Sequence, residues 1–193
     1  LKLLTMKKAL FFFILLAASL IFISCKKDPT KNAKLPPITQ EGKNTVGFTI
    51  DGEVWVPYYK CGFMRDPCGE INASYGEAGG AAPNGIDFGF TRMRKDKMSY
   101  LLISTGSIAI TTVGEKTDSI YASFVDEDSY GNNKRYSGPL PGSKFVITKL
   151  DKQTQIISGE FEFILREENG SGRVITIKDG RFDFRFNACK CSQ

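Results

Sequence analysis

The chain has 193 residues, the size of one domain, and no histidine, which excludes Ser-His-Asp and Cys-His catalytic sets and every histidine-ligated zinc or haem site. Hydrophobic residues at 41% and aromatics at 12% provide for a core and exclude a disordered chain. The net charge of +5 comes from Lys2, Lys7 and Lys8 and from the lysines between 26 and 43, so the remainder, with 18 basic and 19 acidic residues, lacks the basic face that nucleic acid requires.

Met6-Lys7-Lys8 followed by the mostly apolar, uncharged run Ala9 to Ser24 has the layout of a secretory signal peptide over residues 1–24, with Met6 the expected initiator. At about 1.5 Å per residue the run spans roughly 24 Å, short of the roughly 30 Å that a permanent transmembrane helix must cross. It ends in Phe22-Ile23-Ser24-Cys25. This resembles the lipobox of bacterial lipoproteins, in which a small residue precedes a cysteine that is diacylated and becomes the mature N-terminus. Phe22 stands where that motif usually has Leu. Cys25 is therefore the predicted lipidation site and a membrane the predicted partner; two or more acyl chains, at about 0.8 kcal/mol per buried CH₂, anchor a domain stably.

From Lys26 to Asn44 the chain is polar, broken by Pro29 and Pro36-Pro37, and free of aromatics, which predicts a lipidated cysteine and flexible tether over 25–44. Lys26-Lys27-Asp28 is similar to the start of Bacteroidetes lipoproteins, where lysine followed by acids resembles a surface-export signal. Here Lys27 replaces an acid, so both the periplasmic face and the cell surface of the outer membrane stay open.

The body, 45–193, reads as strands. Val46, Phe48 and Ile50 alternate up to Asp51-Gly52, a two-residue hairpin signal, and Val54-Trp55-Val56 follows before Pro57. Further strands are predicted around Ile86 to Phe90, Tyr100 to Ser104, Ile108 to Val113, Ile120 to Val125, Phe145 to Lys149, Ile156 to Leu165, Arg173 to Ile177 and Arg181 to Phe186, with Asp179-Gly180 read as a turn. Gly69 to Gly85 and Asp126 to Gly142 read as exposed loops. Phe161, Phe163 and Leu165 share one strand face, and Phe182, Phe184 and Phe186 another. The predicted fold is all-β, an antiparallel β-sandwich of about nine or ten strands, with a closed antiparallel barrel as the alternative.

Gly47 to Pro57, Ile157 to Phe163 and Ile175 to Asp183 together are similar to an uncharacterised Bacteroidetes lipoprotein family, a domain of unknown function. The resemblance covers both ends of the body and is loose between them. It implies an exported all-β domain and supplies no catalytic residues.

With Cys25 lipidated, Cys61, Cys68, Cys189 and Cys191 remain, an even number in an exported chain, which predicts disulfides in one of three pairings. A Cys189 to Cys191 bridge is strained, and C-x₆-C with C-x-C lacks the usual zinc spacing. Asp126 and Asp128, near Gly131, are a weak calcium pattern against a solvated turn. Trp55, Tyr58, Tyr59 and Phe63 form an aromatic cluster of the kind that binds sugars or peptides; Trp55, inside a strand, reads better as core and Tyr58 and Tyr59 as surface. Paired carboxylates have no supporting spacing.

The function expected is a non-enzymatic, lipid-anchored module of the cell envelope that binds a glycan, a peptide or an envelope protein, with no cofactor. Alternatives are a structural or assembly accessory of an outer-membrane complex and a hydrolase using carboxylates alone.

Overall fold

Apolar alternation becomes twelve strands in the computed structural model, which describes residues 30–59, 69–76, 84–94, 97–127, 132–170 and 172–190. In chain order these are β1 (Thr45–Ile50), β2 (Glu53–Trp55), β3 (Ile71–Tyr75), β4 (Ile86–Arg94), β5 (Lys97–Ser104), β6 (Gly114–Glu115), β7 (Tyr121–Glu127), β8 (Asn133–Gly138), β9 (Lys144–Asp151), β10 (Ile156–Glu167), β11 (Val174–Arg185) and β12 (Ala188–Lys190). A 3₁₀ turn, Thr117–Ser119, precedes β7. All the strands belong to the unit Asn32–Gln193.

The strands form one antiparallel sheet in the order β12-β3-β4-β5-β7-β8-β10-β11-β1-β2. It branches at β10, whose first half pairs with β9 and whose far end pairs with β8; β6 adds to β9. The sheet curls around its aromatic face. Phe88 of β4 lies 5.3 Å from both Phe182 and Phe184 of β11, although four strands separate β4 from β11 in the sheet. Tyr58, just past β2, adds one parallel bridge to Arg92, with the Tyr58 amide donating to the Thr91 carbonyl at 2.9 Å. One bridge is not a ladder. The expected two-sheet sandwich and its closed-barrel alternative are therefore both corrected to an open, curled half-barrel. One curled sheet buries its apolar face against itself, so no second sheet is required.

Asp51 and Gly52 have φ of 51° and 80°, the left-handed pair of a two-residue hairpin that joins β1 to β2. Asp179-Gly180 turns out otherwise. Ile175 and Ile177 are buried at odd positions and Phe182 and Phe184 at even ones, so both sets reach one core only if an extra residue intervenes. That residue is Asp179 (φ 51°): the register passes from Phe161 opposite Gly180 to Phe163 opposite Ile177. The predicted turn is a bulge inside the single long strand β11. Gly180 is required there, because a Cβ would overlap the Phe161 ring and its carbonyl oxygen.

Three further expectations are corrected. The stretch 69–85 contains β3, where Ile71, Ala73 and Tyr75 are buried, and 126–142 contains β8, where Tyr136 is buried. The stretch 108–113 is not a strand: Ile110 is buried, but Ile108 and Val113 are 47% and 54% exposed.

Candidate functional site

The aromatic cluster divides. Trp55 is fully buried, stacked on Phe48 at 4.6 Å, with its indole N–H donating to Ser99 Oγ at 2.9 Å. The Arg92 guanidinium lies 5.3 Å from the ring centroid. Trp55 thus presents no face to a ligand, which corrects its place among the binding candidates. Tyr58 and Tyr59 are half-buried, Tyr58 bridging β4 through its backbone and the Tyr59 ring packing over Gly69. Phe63 lies outside the described residues.

The disulfide expectation finds support at Cys189, which is disulfide-bonded to a partner outside the described residues. Cys189, exposed on β12 opposite Asn72, is the one body cysteine among them, and its sulfur is engaged rather than free. Cys25, Cys61, Cys68 and Cys191 lie outside the described residues. So does Asp128, whereas Asp126 stands exposed in β7 opposite Lys134 and not in a loop. Among the described residues no group of three His, Cys, Asp or Glu side chains is placed to hold a metal ion.

Asp183 is a feature that sequence reasoning missed. It points away from the aromatic core, where alternation predicts exposure, yet it is 1% exposed. A strap of chain, residues 38–44, covers it. Asp183 Oδ1 accepts from the Gly42 amide (2.8 Å) and Ser158 Oγ (2.8 Å), while Oδ2 accepts from Thr39 Oγ1 (2.6 Å) and the Glu41 and Lys43 amides (3.1 and 3.2 Å). Burial pushes this carboxyl up, but the bonds from Thr39, Ser158, Gly42 and Lys43 outweigh it and hold it below the ordinary aspartate value. Asn44 Oδ1 accepts from the Arg185 amide at 2.9 Å, and Lys149 Nζ donates to the Gln40 carbonyl at 3.0 Å. The last residues of the stretch read as tether are therefore docked on the sheet.

The strap ends beside a cleft. Ile38, 56% exposed, forms its rim with Lys144 of β9, Glu160 and Glu162 of β10, and Asp179 and Arg181 of β11, around a cavity volume of about 310 Å³. The register sets the charge layout: Lys144 opposes Glu162, and Arg181 opposes Glu160. Among the described residues, none of these five charged groups is in an ion pair. Two neighbours line the bulge side: the one hydroxyl hydrogen of Thr49 lies between the Lys178 carbonyl (3.1 Å) and Asp179 Oδ2 (3.2 Å), and Arg181 Nε donates to the Asp179 carbonyl at 3.0 Å. Such a surface offers charge-assisted hydrogen bonds of both signs to a small ligand.

The alternation Glu160-Phe161-Glu162 signals two carboxylates on one outward face, but nothing in it reveals which cations flank them. Comparison with protein-family models, curated proteins and solved structures found no match.

Proposed function

We propose that this chain is a lipid-anchored, non-enzymatic binding module of the bacterial cell envelope, moored at Cys25 on the periplasmic face or the cell surface of the outer membrane. The leader, the lipobox-like Phe22-Ile23-Ser24-Cys25 and the resemblance to a Bacteroidetes lipoprotein family support the mooring. The cleft between β9, β10 and β11 carries the binding half of the reading, because it concentrates five charged side chains, none in an ion pair among the described residues, around an open cavity. Palmitate labelling with a Cys25→Ser control tests the anchor, and a label retained by the variant refutes it. A glycan and peptide array with the purified protein tests binding; turnover of any bound compound refutes the non-enzymatic reading.

A carboxylate hydrolase would have to use Glu160 and Glu162, which lie two residues apart on one face of β10. Both side chains are exposed, however, and a general acid needs burial to hold its proton near neutral pH. Binding is the better-supported reading.

A further inference from the structure

We propose that the cleft takes a zwitterionic ligand of amino-acid to dipeptide size, with its ammonium group against Glu162 and Asp179 and its anionic group against Arg181. This rests on the binding reading above and names the ligand chemistry. Size follows from the cavity of about 310 Å³, at the lower end of the roughly 300 to 1,000 Å³ of ligand pockets. Sign follows from the register. A purely cationic ligand would meet Lys144 and Arg181, and a purely anionic one would meet three carboxylates, so either suffers like-charge contact. A neutral sugar would desolvate these charges without an opposite charge in return. A ligand bearing both signs matches the layout.

The site is also pre-organised. The bulge in β11 inserts Asp179 beside Glu162, and the hydroxyl of Thr49 reaches both its carboxylate and the Lys178 carbonyl. Arg181 spends its Nε on the Asp179 carbonyl, which orients the guanidinium and leaves its terminal nitrogens for an anion. Ile38 supplies apolar surface for the carbon body between the two charges.

The test is isothermal calorimetry on the purified protein with glycylglycine and O-phosphoethanolamine in separate arms, and with ammonium chloride, acetate and glucose as controls. At least one zwitterion binds with a Kd on the order of 1 mM or tighter, and its affinity falls as salt is added. Binding in the first arm alone identifies a peptide-type ligand, and in the second alone a phosphate headgroup. Asp179→Asn, which keeps a residue tolerant of positive φ, weakens the binding about tenfold. Glu162→Gln, at an exposed position, and Arg181→Gln, at a half-buried one, do the same, whereas Lys97→Gln on β5 leaves it unchanged. Thermal melts establish that each variant is folded. Silence in both zwitterion arms overturns the proposal, as does binding that is indifferent to Asp179→Asn and Glu162→Gln. A response to glucose alone overturns the ligand class but leaves the binding-module reading standing.

Discussion

Replacing Asp183 with asparagine keeps the shape of the side chain and removes its charge. Five donors converge on the native carboxylate, two on Oδ1 and three on Oδ2. The asparagine amide nitrogen settles at the Oδ1 position, where it faces the Gly42 amide, donor against donor, while the Ser158 hydroxyl can turn and accept. Bonds to a charged acceptor contribute about 1.5 to 3 kcal/mol each and neutral ones about 1, so one lost amide bond and the weakening of the bonds that remain, discounted because the strap is partly exposed, make about 3 kcal/mol. For a domain of this size that is about 6 to 12 °C in Tm. Urea and thermal melts at pH 7 measure it, and amide exchange at Glu41, Gly42 and Lys43 shows whether the strap opens ahead of the sheet. Because the folded carboxyl lies below its ordinary value, its contribution is complete above the unfolded pKa of about 3.9 and is lost as pH falls through the lower folded value. The native protein therefore loses stability on acidification through that window, while Asp183→Asn loses less over the same range. A difference at pH 7 below about 1 kcal/mol, or parallel acid profiles, refutes the latch.

Other consequences of the packing are as direct. Gly180→Ala drives a methyl into Phe161 beside the bulge and destabilises by about 2 to 3 kcal/mol in urea unfolding; a loss under about 0.5 kcal/mol would show that β11 relaxes freely. Trp55 is the single tryptophan, so the native fluorescence reports it alone: short-wavelength emission that resists acrylamide quenching is expected, and ready quenching would restore it as a ligand platform. Ser123 Oγ is buried in β7 without a hydrogen-bond partner among the described residues, so Ser123→Ala is neutral or stabilises by up to about 1 kcal/mol in the same melts, and a clear loss would reveal a partner.

The sequence by itself determined the elements whose chemistry is local. Asp51-Gly52 closes a hairpin because both residues tolerate positive φ, and the phenylalanine alternation in β10 and β11 marks one core-facing side. It failed where the same local signal has two uses. Asp179-Gly180 has the chemistry of Asp51-Gly52, but it absorbs a change of parity within one strand, and only the pairing of β11 with β10 and β1 shows that. Ile71 to Tyr75 does alternate, but over five residues of a glycine-flanked stretch, and Asn133 to Gly138 carries Tyr136 as its one apolar side chain, so both strands were ordered by their neighbours. Tertiary structure alone decided the curl of the sheet, the burial of Asp183 and the gathering of the cleft. Each joins residues far apart in the chain, as Gly42 and Asp183 are by 141 positions, and a periodic pattern records which face a side chain takes but not which distant strand or strap will meet it.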